Sequence, residues 1–413
     1  MKRLNYLLIL LVFIGVSTNE LCAQKKLSEL PISLKIGGYV HSAFTFDSRQ
    51  TVSARESHVL LYPKNVLLDP AGKDINAASS YNMAVIQSRT WMRITGPEIL
   101  GAKTTGLLEA EFMGNSEADV NGFRIRHAYV NLNWGKTSLL IGQTWAPLFV
   151  PEVMPGQIGT NSGLPFKPFA RNPQVRFTYK SGKWKLLAAL LSERDYTSTG
   201  PDGATNKYLR NAGLPMAQGQ IHFYPGKHIF GVTGEVKNIK PALMTETGYK
   251  ADETLTSWSI LAYAKLDFKP FTFKIHTTYG SNLTDVLMTG GYAAKSVDPL
   301  TNEASYTPIK IWAGWCDLDY TPGKVGFGIF GGYSKTLGSQ DNVVPGMVYS
   351  RGSNIGALYR IAPRITASIK NMKIQLESEY TAAAYGVINE KAKVDQQKWV
   401  GNNRITLALY YFF

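Results

Sequence analysis

A charged side chain turned toward lipid near the bilayer midplane costs a transmembrane strand about 2–4 kcal/mol. This chain alternates in a way that avoids that cost. In Gln174–Lys180, Val175, Phe177 and Tyr179 oppose Gln174, Arg176, Thr178 and Lys180. In Phe271–Tyr279, Phe271, Phe273, Ile275 and Tyr279 oppose Thr272, Lys274, His276 and Thr278. In Met372–Tyr380, Met372, Ile374, Leu376 and Tyr380 oppose Lys373, Gln375, Glu377 and Glu379. The final segment, Arg404–Phe413, sets Leu407, Leu409, Tyr411 and Phe413 against Arg404, Thr406, Ala408 and Tyr410. Successive residues of a strand point to opposite faces, so each segment offers one face to an apolar medium and one to water.

After Lys35 no run approaches the ~18 uninterrupted apolar residues of a membrane helix. Charged residues make up 18% of the chain and aromatics 12%, with 38 glycines. No low-complexity linker divides the 413 residues into separate domains. Alternating segments recur near 34–46, 84–95, 102–113, 123–134, 137–145, 173–180, 183–192 and 215–224. They continue near 227–237, 254–268, 271–280, 306–320, 324–335, 352–362, 372–384 and 402–413. Short connections hold Gly, Pro or Asn, as at Gly96-Pro97, Trp134-Gly135-Lys136, Tyr224-Pro225-Gly226 and Lys370-Asn371. Longer polar stretches lie between them, roughly 47–83, 114–122, 146–172, 193–214, 238–253, 281–305, 336–351 and 385–400. Short turns on one side and long loops on the other fit the periplasmic and extracellular ends of a barrel. The sequence therefore predicts an all-β transmembrane antiparallel β-barrel of about 16 strands with both termini in the periplasm. In residues 362–372 a bend or a bulged strand fits equally well.

Met1 to about Ala23 has a basic start (Lys2, Arg3), an apolar core from Leu4 to Val16 and Leu21-Cys22-Ala23 before Gln24. It reads as an export signal cleaved after Ala23. A lipoprotein signal acylated at Cys22 is the rival, and Leu21 argues against it because that pattern wants a small residue before the cysteine. The expected organisation is a signal peptide at 1–23, a short periplasmic segment at 24–33 and a barrel at 34–413. Loss of Cys22 leaves Cys316 alone, so no intramolecular disulfide is expected. The alternating final strand ending in Phe413 resembles the terminal signal read by outer-membrane assembly machinery.

Lys185–Leu191 is apolar on both faces and Leu139–Gly142 nearly so, which suits a subunit contact or a greasy patch in the lumen. Gly38, Ser42, Ser88 and Thr90 fall on the presumed outer face of the early strands. Small polar residues there suit protein contact better than lipid and point to a homotrimer.

Arg124–Trp145 reads RIRHAYVNLNWGKTSLLIGQTW. It resembles the fourth and fifth strands of Gram-negative general porins. The RIRHAYV and IGQTW pieces look more closely like the DcaP-like porins, a family linked to uptake of dicarboxylates and other small anions. The likeness extends to about Arg176 and recurs at Arg360–Gly386. It implies passive diffusion of small hydrophilic solutes, organic anions favoured. The long amino-terminal coiled coil of some members has no counterpart, since only Gln24–Ser33 precede the first strand. The resemblance also implies a third loop, residues 146–172, folded into the lumen as a constriction. Independently, that loop carries Pro147, Pro151, Pro155, Pro165 and Pro168 with Gly156, Gly159 and Gly163. Proline reduces unfolded-state freedom and stiffens a segment. An ordinary proline-rich surface loop is the alternative.

Rings of lumen charge set ion preference. By parity the lumen cations are Lys35, Arg89, Arg93, Arg124, Arg126, Arg176, Lys180, Lys265, Lys274, Arg360, Lys373 and Arg404. The lumen anions are Glu109, Glu111, Glu235, Asp267, Asp317, Asp319, Glu377 and Glu379. Arg89, Arg93, Arg124 and Arg126 flank the strand of Glu109 and Glu111, with Lys167 and Arg171 on or beside the third loop. With Arg176, Arg360 and Arg404 these form the candidate selectivity set. Guanidinium groups grip carboxylates through paired hydrogen bonds. The same arginines could instead neutralise the lumen carboxylates and hold the third loop.

The formal charge of +14 would ordinarily suggest nucleic acid. For an exported chain it bears on small anions or surface polyanions instead. His41, His58, His127, His222, His228 and His276 are scattered, without a metal spacing, so no metal or cofactor is expected. His127 reads as a packing residue rather than a base. Glu109/Glu111 and Asp317/Asp319 read as ion-pair partners before acid–base pairs, so an enzyme is disfavoured. An adhesive barrel acting through loops such as Asp47–Asn82 and Ser281–Ser305 is the main alternative. A soluble sugar-binding β-protein is a remoter one. A large active transporter is disfavoured, because no folded domain precedes the first strand to act as a plug.

Overall fold

The computed structural model describes residues 31–158 and 162–413; the signal-peptide reading, with Cys22, lies outside the described residues. Sixteen antiparallel strands close on themselves. They are β1 (Ser33–Asp47), β2 (Ser80–Ala84 and Arg89–Thr95), β3 (Lys103–Glu111), β4 (Arg124–Asn133), β5 (Thr137–Trp145) and β6 (Arg171–Ser181). Next come β7 (Trp184–Leu191), β8 (Met216–Phe223), β9 (Ile229–Ile239), β10 (Leu255–Phe268) and β11 (Phe271–Ser281). The last five are β12 (Ala304–Tyr320), β13 (Val325–Gly338), β14 (Ile355–Ile369), β15 (Met372–Ile388) and β16 (Val394–Phe412). Each strand pairs with its chain neighbours. Pairing of β16 with β1, from Tyr39 opposite Phe412 to Asp47 opposite Arg404, closes the cylinder. The Gly38 and Phe413 backbones exchange hydrogen bonds of 3.1 and 3.2 Å at its lower edge. Closure leaves no unpaired edge in hydrocarbon, where each unmet backbone group would cost several kcal/mol.

The expected faces are observed. Val175, Phe177 and Tyr179 are exposed on the outer wall of β6 while Gln174 is buried within. On β15, Met372, Leu376 and Tyr380 face out against buried Gln375, Glu377 and Glu379. β2 is one strand interrupted at residues 85–88, where the Ser88 hydroxyl accepts a 3.0 Å bond from the His41 amide.

Three expectations need correction. β14 runs on to Ile369 instead of stopping near 362, so the uncertain region is regular strand up to the Lys370-Asn371 turn. The last extracellular loop is only residues 389–393, because β15 and β16 extend to 17 and 19 residues. At ~3.3 Å per residue such strands overrun the ~9–11 residues a membrane requires, and their outer parts stand in water where charges cost little. The first loop is not simply a surface loop. Its hairpin, Thr51–Ala54 with Val59–Pro63, tucks inside, and Val59, Leu60, Leu61 and Tyr62 are buried. The poor alternation of β7 has an internal cause: Leu187, Ala189 and Leu191 pack with Tyr208, Leu209, Met216 and Tyr292 in a greasy patch of the lumen.

At the seam the Arg404 guanidinium grips the Asp47 carboxylate with bonds of 2.8 and 2.6 Å, both groups being buried. Breaking such a pair from one side costs about 3–5 kcal/mol. Asp47→Ala should therefore lower the temperature at which the folded gel band converts to the unfolded one. The double variant Asp47→Leu/Arg404→Met should recover most of the loss.

Candidate constriction and lumen charge cluster

The third loop leaves β5 at Ala146 and rejoins β6 at Arg171, its base closed by a 3.0 Å bond from the Ala146 amide to the Ala170 carbonyl. Pro147 and Pro151 each open a short 3-10 turn. Leu148, Phe149, Val150, Val153, Leu164, Phe166 and Phe169 are buried, in one cluster with Leu261, Tyr263, Trp315 and Phe330 of the inner wall. Phe149 stacks on Trp145 with ring centroids 3.6 Å apart. The loop is thus folded into the lumen.

Polar groups of the wall hold its backbone. The Gln218 side chain accepts from the Leu148 amide at 3.1 Å, and that of Gln220 donates to the Pro147 carbonyl at 2.9 Å. Asp317 accepts from the Gly156 amide at 3.0 Å and Glu377 from the Ile158 amide at 3.4 Å. Gln157 donates to Glu379 at 3.3 Å. Fully buried Arg360 ties three segments together. It donates to the Leu164 carbonyl, to the Leu60 carbonyl at 3.2 Å and to Thr381 at 2.8 Å, and pairs with Glu379 at 3.2 Å. Gly156 lies flat on the Arg364 guanidinium, where a Cβ would approach an Arg364 nitrogen to 2.3 Å.

Six of the candidate selectivity residues meet in one cluster. Buried Glu111 is paired with Arg89 at 3.1 Å, Arg124 at 2.7 Å, Arg126 at 2.7 Å and Arg171 at 3.7 Å. Glu109 pairs with Arg126 at 2.7 Å and Arg89 at 3.5 Å. Asp195 of the fourth loop, which alternation could not reveal, pairs with Arg171 at 2.8 Å and Arg124 at 3.3 Å. A bulge in β4 turns consecutive residues Arg126 and His127 inward together. His127 contacts Thr144 at 2.9 Å and packs on Trp145, the structural role expected of it.

The other candidates lie apart. Arg93 sits on the Trp91 ring near the periplasmic end and forms no ion pair among the described residues. Arg176 bonds Gln174 at 2.9 Å and the Trp145 carbonyl. Arg404 closes the seam and Arg360 fastens the loop. Sequence reasoning missed Arg364, because its strand was cut short. It holds Asp317 in a bidentate grip at 2.7 and 2.9 Å and also bonds Asp319. It also missed Lys237, buried between Asp285 of the sixth loop and Glu235, the latter 3.9 Å away. The scattered histidines include one pair the fold unites: the inward hairpin brings His58 to 5.7 Å from His41, ring to ring.

Two chambers flank the loop. One, about 410 Å³, is bounded by Arg89, Glu109, Arg126, Trp145, Met154 and Lys373 among others. The second, about 330 Å³, is bounded by Lys265, Lys274, Asp319, Lys324, Arg364 and Lys373. Lys373 and Gln375 border both. Asp317 and Asp319 neutralise Arg364 and Lys274, whereas Lys265, Lys324 and Lys373 have no carboxylate within pairing distance among the described residues.

Lys167 of the third loop is fully buried, its ammonium 4.0 Å from the centre of the Phe149 ring and without a hydrogen-bond partner among the described residues. Burial pushes it from its ordinary 10.5 down to about 7. Between about 7 and 10.5 the unfolded chain therefore binds more protons here than the folded one, and stability rises with pH across that window. The heat-conversion midpoint of the folded band should climb from pH 7 to 10. Lys167→Met should abolish that climb and start from a higher midpoint; an identical climb in both proteins would refute the assignment.

Residues 63–204 match the family model of the DcaP outer membrane protein. No protein of curated function matches the sequence. Among solved structures, the fold is similar to that of the outer membrane channel DcaP of Acinetobacter baumannii, at 18% identity and TM-score 0.70, covering 94% of this chain and 99% of that one. It is also similar to OmpT, an outer membrane protein of Vibrio cholerae, at 10% identity and TM-score 0.56, covering 94% and 100%. An anion-selective porin from Comamonas acidovorans matches at 10% identity and TM-score 0.56, covering 92% and 100%. Residues 63–204 thus carry the pattern of the DcaP outer membrane protein family, and over nearly its whole length the chain has the fold of an outer-membrane β-barrel of the porin type.

Proposed function

We propose that this barrel passes small hydrophilic solutes by passive diffusion and favours organic anions such as dicarboxylates. One observation carries the reading. The two chambers beside the third loop are bordered by seven cations, Arg89, Arg126, Lys265, Lys274, Lys324, Arg364 and Lys373, against two carboxylates, Glu109 and Asp319. Low-dielectric walls concentrate such a field and raise the local density of counter-ions. Arg89 at one border and Lys373 at the other offer a dicarboxylate two separated charges to follow, and a guanidinium adds directional bonds that a point charge lacks. The Comamonas relative named as anion-selective lends the reading modest support.

The protein works in this proposal as a homotrimer, exported by a cleaved signal and inserted by assembly machinery that reads Phe413. The short strands β3, β4 and β5, of 9, 10 and 9 residues, and outward-facing Gly38, Ser42 and Thr90 near them support a subunit contact on that wall. OmpT, a relative in fold, has been solved in a trimer form. The protein catalyses no turnover in this reading; Glu109, Glu111, Asp317, Asp319, Glu377 and Glu379 are engaged with arginine, lysine or the third loop.

Reversal potentials across a potassium chloride gradient in planar bilayers test the proposal. Wild type should show chloride preference. Arg89→Gln/Lys373→Gln should lower the anion-to-cation permeability ratio severalfold, and succinate should interrupt the wild-type current more than acetate does. Potassium preference in the wild type would overturn it.

A further inference from the structure

Seven short turns join the strands at the periplasmic end: residues 96–102, 134–136, 182–183, 224–228, 269–270, 321–324 and 370–371. Six of them contain one lysine each and no acid: Lys136, Lys183, Lys227, Lys269, Lys324 and Lys370. The seventh holds Glu98 and is followed at once by Lys103. All six turn lysines are exposed. None pairs with a carboxylate among the described residues, whereas lumen cations such as Arg124, Lys237 and Arg364 are engaged.

Their neighbours give the direction. Each lies beside an aromatic residue exposed on the outer wall: Trp134 by Lys136, Trp184 by Lys183, Phe230 by Lys227 and Phe268 by Lys269. Phe327 stands near Lys324, and at the Lys370 turn outward-facing Tyr411 lies opposite Met372, the residue that follows the turn. Aromatic rings at such positions mark the headgroup level of a bilayer. A lysine stem can lie along that belt while its ammonium reaches the phosphates.

We propose that the ring formed by Lys136, Lys183, Lys227, Lys269 and Lys370 binds the anionic glycerophospholipid headgroups of the periplasmic leaflet and sets the depth of the barrel, while Lys324 borders the lumen chamber. The placement favours lipid over a protein partner. Single charges on five of the seven turns, spread around the circumference, leave no sector on which a folded partner would dock. A leaflet touches every turn at once. Each basic residue close to an anionic leaflet is attracted to it, and several acting together select one headgroup over another.

The test is native mass spectrometry of the full chain in detergent, offered phosphatidylglycerol and phosphatidylethanolamine in equal amounts. Wild type should retain phosphatidylglycerol in about tenfold excess. Lys136→Gln/Lys183→Gln/Lys227→Gln/Lys269→Gln/Lys370→Gln should bring the ratio near one while keeping the folded gel mobility. Two smaller variants, K136Q/K183Q and K269Q/K370Q, should each remove part of the preference and guard against a misfolded fivefold variant. Neutralising Lys64, Lys73, Lys207, Lys250 and Lys295 of the opposite end should leave the ratio unchanged. Equal retention by wild type, an unchanged ratio in the folded fivefold variant, or displacement of the lipid by millimolar glycerol phosphate alone would overturn the proposal. The last result would identify a site for a soluble anion instead of a membrane.

Discussion

Glu111 sits out of water under four guanidinium groups, and much of the lumen follows from how that charge is met. A carboxylate removed from solvent costs several kcal/mol unless its partners are well placed. Here they come from β2, β4 and the start of β6, so three strands and the end of the third loop take up positions around one side chain. Asp195 then neutralises the outer arginines and draws the fourth loop inward. The same logic recurs across the barrel, where Asp317, Glu377 and Glu379 accept from the loop or its neighbours while Arg364 and Arg360 balance them. The charges expected to select ions and those expected to hold the loop are therefore two overlapping sets. Arg360 and Arg404 belong to the scaffold; Arg89, Arg126 and Lys373 border open space.

What could be read in the sequence was what a membrane imposes locally. Alternation located sixteen strands, and turn residues separated short connections from long ones, because lipid penalises every misplaced polar group one residue at a time. Reading failed where water returns. The outer parts of β15 and β16 carry Lys391, Lys393, Asp395 and Lys398 in or between strands, and outside the bilayer such residues are as compatible with strand as with loop. Arg364 was lost for a related reason, since Pro363 and the mixed faces of residues 362–369 blurred the pattern. Contacts across the lumen left no local signal at all. Nothing near Asp195 or the Val59–Pro63 hairpin indicates that they face inward, and the bulge that turns Arg126 and His127 together breaks the alternation on which parity relies.

Charge is also distributed along the axis of the barrel. In the lumen it is largely compensated, with a residual excess of lysine beside the third loop. At the periplasmic rim it is uncompensated, with one lysine on six of the seven turns. The two distributions answer to different surroundings, a confined aqueous path and a leaflet of headgroups, and together they give the basic character of a chain whose strands face lipid with almost none.

Selective passage as proposed depends most on the third loop being the narrowest element in the path, held there by its ties to the wall. Single-channel conductance in planar bilayers, compared between wild type and a variant lacking residues 151–166, tests this most directly. Both proteins should give discrete openings, with steps at least twofold larger in the variant. Equal steps, or a wild type that never opens, would contradict it.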